Sequence, residues 1–188
     1  AVVGGVPAAP LARTRCGRRV PAPPRFRCGC RGAGWGARTS RPARAARLGA
    51  DVPACVRSEA CVGRGTGTEL EPVANDLTGT PVLLVNPRIP LSTAPVFKHW
   101  DGVDRGPLPQ GDLRAIALEG RNDLEAPALA LCPAIGVVLA ALRETAPWLA
   151  RMSGSGATCF ALYDTPAARD AALAAMPSDW WTMAGALR

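Results

Sequence analysis

Acidic residues are missing from the first fifty positions, a stretch that nevertheless holds eleven arginines. The whole chain has a formal charge of +7, yet the 11 basic residues beyond Ala50 face 15 acids, so positions 51–188 carry about −4. The basic balance belongs to one segment and not to the protein. Histidine is nearly absent as well: His99 stands alone with no carboxylate motif to complete a triad, so Ser153 and Ser155 are not nucleophile candidates. Cysteine occurs seven times but without an even count or paired C-x-x-C spacing, which excludes a disulfide framework and the usual zinc site. Free thiols in a reducing cytosol are the expectation. Cys55, Cys61, Cys132 and Cys159 lie among apolar neighbours, where cysteine behaves as a small hydrophobe. Cys16, Cys28 and Cys30 have no histidine near them, and no metal site is expected. A continuous membrane-length run is also lacking. Ala126 to Leu142 is free of charge over 17 residues, but Pro127 and Pro133 interrupt it. Ile135, Val138, Leu139 and Leu142 follow helical spacing, which predicts a buried core helix and no membrane partner. The opening Ala-Val-Val-Gly-Gly is too short and poorly flanked for a secretory signal and has no initiator Met, so the sequence reads as a fragment.

What remains is 188 residues, 48% apolar and 20% charged, enough to bury a real core. It divides in two. Residues 1–47 are dominated by Arg, Pro, Gly, Ala and Cys with no aliphatic periodicity, and cannot bury enough apolar surface to offset their ordering entropy. They read either as a disordered basic arm or as out-of-frame translation of GC-rich codons joined to an authentic continuation. From Leu48 onward the pattern is orderly. Pro81 to Asn86 is an apolar run bounded by prolines, the mark of a buried strand. Asp112 to Leu118 and Asp123 to Leu131 look helical, with Asp112 and either Asn122 or Asp123 placed as caps. A third helix runs from Pro133 to Glu144 and stops before Pro147. A turn over Met152 to Gly156 leads to a strand from Ala157 to Tyr163, a Thr165-capped helix reaching Met176, and a last strand from Trp180 to Leu187. This mixture predicts an α+β sandwich with an antiparallel sheet and no internal repeat.

Three constellations carry chemistry. In Leu48-Gly-Ala-Asp-Val-Pro53, the Val-Pro step disfavours continuation of a helix, and Asp51 taken alone is a turn or cap residue. In Gly63-Arg-Gly-Thr-Gly67 and the following Thr-Glu-Leu-Glu-Pro-Val73, the glycines lack a Gly-Lys-Ser/Thr continuation, so a turn feeding a strand is expected instead of a phosphate loop. In Arg151-Met-Ser-Gly-Ser-Gly-Ala-Thr-Cys-Phe160, small residues allow backbone N–H groups to converge on an anion, or simply form a hairpin turn.

In order and in wording these strings, with Pro90-Leu-Ser-Thr-Ala-Pro-Val-Phe97 and Arg121-Asn-Asp-Leu-Glu125, resemble the GHMP small-molecule kinases, and within them the diphosphocytidyl-methylerythritol kinases, over residues 48 to 188. The resemblance implies a GHMP C-terminal α/β sandwich over 81–188 and a remnant of the N-terminal ATP-binding domain over 48–80. It implies Asp51 as the catalytic carboxylate that takes the substrate hydroxyl proton during attack on the γ-phosphate of ATP, with Mg2+. It places Gly154, Ser155, Gly156 and Ala157 beside the phosphate-transfer region, with Phe160 packing inward. The implied partner is a small molecule, diphosphocytidyl methylerythritol, phosphorylated in the cytoplasm for isoprenoid precursors, with no membrane and no specific nucleic acid involved. The chain departs from the family where a Lys-containing opening and a Gly-Gly-Gly-Ser-Ala-Asp phosphate loop are expected. Without that cradle, little or no kinase activity is predicted. Another GHMP kinase, for mevalonate or homoserine, is the alternative that shares Gly-Ser-Gly-Ala. A nonspecific basic nucleic-acid binder working through residues 1–47 is the non-enzymatic one.

Overall fold

The computed structural model describes Val52, Ala54, residues 59–64 and residues 69–188. Strands β1 (Cys61–Arg64) and β2 (Glu69–Pro72) form an antiparallel pair in which Cys61 stands opposite Pro72. Next come β3 (Pro81–Asn86), α1 (Thr93–Lys98), α2 (Leu113–Glu119), α3 (Glu125–Leu131), α4 (Ala134–Glu144), β4 (Leu149–Met152), β5 (Cys159–Leu162), α5 (Pro166–Ala175) and β6 (Trp181–Ala186). The second sheet is antiparallel throughout, in the order β4-β5-β3-β6.

Strand β3 is the centre because its residues suit no other place. Pro81 to Val85 are buried on both faces, and the proline sits at the strand's first position, where its missing N–H is tolerated. Alternation then sorts the side chains. Leu83 and Val85, with Cys159 and Ala161 of β5, meet α1, α3, α4 and α5 on one face, whereas Val82, Leu84, Leu149 and Leu162 turn to the other. Helix α4 docks through the predicted stripe: Ile135, Val138, Leu139 and Leu142 are all buried, each contributing roughly 1.5–3 kcal/mol relative to exposure. It is bent 119° from α3, and no single described helix is long and apolar enough to cross a membrane.

Local chemistry fixes the helix starts. The Asp112 carboxylate accepts from Ala115 N at 2.7 Å, and the Thr165 hydroxyl accepts from Ala168 N at 3.1 Å with Pro166 in the first turn, both at the predicted caps. Helix α3 starts at Glu125, two residues later than expected, and its N-cap Leu124 makes no side-chain cap bond. Strand β5 is shorter than the expected 157–163, and β4 was not expected at all.

Residues before β3 join the same structure. Leu77 is buried against Leu113 and Ile116, Asp76 Oδ1 accepts from Leu113 N, and Gly79 N donates to Leu187 O. Among the described residues, Cys61, Cys132 and Cys159 are free and buried, as their apolar neighbours suggested.

Candidate functional site

The glycine stretch forms the turn between β4 and β5. Ser153 N donates to Thr158 O at 2.9 Å, and Gly156 N donates to Ser153 O at 3.0 Å. Those two bonds leave the amides of Gly154, Ser155 and Ala157 outside the turn's own hydrogen bonding. Two positions require glycine for different reasons. Gly154 (φ +54°) and Gly156 (φ +88°) are both left-handed, which strains any residue with a Cβ. At Gly156 a Cβ would also lie 2.9 Å from Met152 Sδ and 3.2 Å from both Ile135 Cδ1 and Leu91 Cδ2, whereas Gly154 faces open space. The turn is therefore seated on the core at Gly156 and open at Gly154, with Ala157 buried beneath.

Three side chains from separate elements hold it. Asn86, at the end of β3, donates through Nδ2 to Thr158 Oγ1 at 2.9 Å, and its Oδ1 accepts from Arg88 N at 2.7 Å. Thr93, opening α1, shares a hydroxyl bond of 2.9 Å with Ser155. Asn122 donates through Nδ2 to Met152 O at 3.0 Å and to Gly154 O at 2.8 Å. The strings around Pro90–Phe97 and Arg121–Glu125 thus converge on the string at 151–160. Sequence reading singled out all three, but not the tethers between them.

Beside the turn, a shallow open depression is lined by Gly120, Arg121, Asn122, Glu125, Leu129 and Arg151, among others. Burial pushes the Arg151 guanidinium below its ordinary range, and the neighbouring Glu125 charge opposes that shift. Phe160 is half-buried and packs against the core. It belongs to the apolar cluster on the sheet face away from α4, because strand alternation sends Cys159 and Ala161 to the α4 face and Phe160 and Leu162 to the other. Asp51 lies outside the described residues. Among the described residues no group of three or more His, Cys, Asp and Glu could hold a metal ion. Backbone N–H groups at the turn suit phosphate oxygens, not a cation.

The family model for the GHMP kinases C terminal matches residues 108–181. Among curated proteins, the 4-diphosphocytidyl-2-C-methyl-D-erythritol kinase of Novosphingobium aromaticivorans is 75% identical over 146 residues, covering 78% of this chain and 51% of that protein. The kinase of the same name from Erythrobacter litoralis is 59% identical over 152 residues, covering 77% and 56% respectively. A crystal structure of 4-(cytidine 5'-diphospho)-2C-methyl-D-erythritol kinase superposes with a TM-score of 0.64 at 29% identity, over 78% of this chain and 56% of that one. The chain spans about half the length of the curated relatives it matches. It belongs, through this C-terminal α+β part, to the GHMP kinases.

Proposed function

We propose that the chain is the C-terminal portion of a cytosolic kinase that uses ATP to phosphorylate the 2-hydroxyl of 4-diphosphocytidyl-2-C-methyl-D-erythritol, in non-mevalonate isoprenoid precursor biosynthesis. As it stands, the chain turns over little or no substrate. The observation that carries the reading is the 75% identity to a kinase of that name across 78% of this chain. The turn at Gly154, Ser155, Gly156 and Ala157 supports it, because the amides it leaves outside its own bonding suit transferring phosphate oxygens. In this reading Asp51 is the proton acceptor for the attacking hydroxyl. Mg2+ brought by the nucleotide would supply neutralisation of the phosphate charge, and no cluster of described carboxylates would be required to hold it. Residues 48–80 are then a remnant of the ATP-binding half, 81–188 the C-terminal domain, and 1–47 text that lacks the family's Gly-Gly-Gly-Ser phosphate loop.

The test joins residues 48–188 to the N-terminal half of the N. aromaticivorans relative. The unjoined chain should give no ADP release above background with ATP, Mg2+ and the diphosphocytidyl alcohol. The chimera should turn over, and Asp51→Asn within it should lower kcat by roughly 10²–10⁴-fold. An inactive but folded chimera alongside an active parent enzyme would sink the reading.

A further inference from the structure

We infer that Asn122 is the positioning residue of the glycine turn, setting the course of the backbone that presents the Gly154, Ser155 and Ala157 amides. One side-chain amide bridges two carbonyls on either side of Ser153, to Met152 O at 3.0 Å and to Gly154 O at 2.8 Å. Its orientation is fixed by a third partner, since Oδ1 accepts from Leu124 N at 3.1 Å. The flipped amide would set an oxygen against two carbonyls and a donor against an N–H, so only one rotamer satisfies all three. Its neighbours are occupied elsewhere. Arg121 Nε pairs with Asp123 Oδ1 at 2.9 Å and Arg121 Nη2 reaches Gly106 O at 3.3 Å, which leaves Asn122 turned toward the loop. Because Gly154 meets no neighbour within 4 Å of where a Cβ would stand, the open end of the turn is held by hydrogen bonds, the Asn122 bond to the Gly154 carbonyl and the Thr93–Ser155 hydroxyl bond, of which only the first fixes the backbone.

The bland role for Asn122 is to start α3 through Oδ1, and substitution by aspartate separates the two roles. Asn122→Asp keeps the acceptor for Leu124 N, and a carboxylate near a helix N-terminus is favourable, so a pure cap would tolerate it. It removes the donor from both carbonyls, so a positioning residue would not. In the full chain, amide hydrogen exchange should rise at least tenfold at Ser153 and Gly156, whose N–H groups make the turn's own bonds, in both Asn122→Asp and Asn122→Ala, with β3 and α4 unchanged. Unaltered exchange at the turn in Asn122→Asp, with the helix start intact, overturns the inference.

The inference bears on phosphate transfer only through the function proposed above, and a second titration keeps the two apart. Inorganic tripolyphosphate added to the unsubstituted chain should shift the Gly154, Ser155 and Ala157 amide resonances, and the shift should be lost in Asn122→Asp. A turn loosened by the substitution but indifferent to tripolyphosphate upholds the positioning role and counts only against phosphate binding by the turn without the ATP-binding half.

Discussion

On one face of the larger sheet, Leu83, Val85, Cys159 and Ala161 meet four helices, and the side chains between them are almost wholly shielded from water. On the other, Val82, Leu84, Leu149 and Leu162 meet α2 through Ala117 and the half-buried Trp148 and Phe160. Trp148 and Leu187 then extend that face toward Leu77, Val73 and Ala60. The first face is closed by residues after Pro81, whereas the second is completed by chain that precedes β3. The glycine turn is seated on the first face, through the contacts Gly156 makes with Ile135 and Leu91. The candidate site therefore rests on the half of the core that the C-terminal part supplies for itself.

The comparison is sharpest under truncation of core side chains. Leu142→Ala should cost about 2–5 kcal/mol, read from urea denaturation midpoints, because four helices hold the cavity open. Leu84→Ala should fall near the bottom of that range, since Trp148 and Phe160 are partly exposed and can move inward. Equal losses would break the contrast. Within the turn, Gly154→Ala and Gly156→Ala both incur left-handed strain of about 1–2 kcal/mol. Gly156→Ala should cost about 1–3 kcal/mol more, because its methyl has to displace Met152 and Ile135.

Alkali tests the first face by another route. Burial pushes the Cys159 thiol up to about 12, from an ordinary value near 9. Between those values the unfolded chain has lost the proton and the folded one keeps it. Stability should fall as pH rises through that window, by about 1.4 kcal/mol per pH unit, and be unaffected by this thiol below it. Burial also raises Tyr163 despite its bond to Thr145, which adds a loss of the same sign. A Cys159→Ala variant compared at pH 8 and pH 10.5 should show a shallower decline. The smallest effect belongs to the second face's rim: Arg114→Ala, which loses an exposed pair with Asp164 and a stack 4.4 Å over Trp148, should cost less than about 1 kcal/mol.

Much of this architecture could be read from local chemistry. The caps at Asp112 and Thr165, the stripe on α4 and the apolar run of β3 are each decided within a few residues, and the structure has all four. Strand β4 was invisible because Leu149-Ala-Arg-Met152 has no two-residue alternation; its pairing with β5 makes it a strand. The site was legible as separate strings. What joined them was not, since Asn122 meets the turn 30 residues away and Asn86 meets Thr158 across 72. No window of sequence contains such a contact, and nothing in the Asn-Asp-Leu-Glu string distinguishes a helix cap from a brace.

The strand order β4-β5-β3-β6 has a consequence for biosynthesis. Within this sheet β3 is made first, but its partners follow only at Cys159 and then at Trp181, so the nascent chain carries an apolar ribbon with two open edges from Asn86 until Cys159 is added. Helices α1 to α4 emerge in between, with nothing finished to pack upon. Closure waits for Trp181–Ala186 to clear the ribosome, and until then one edge of β3 stays open to pairing with other chains.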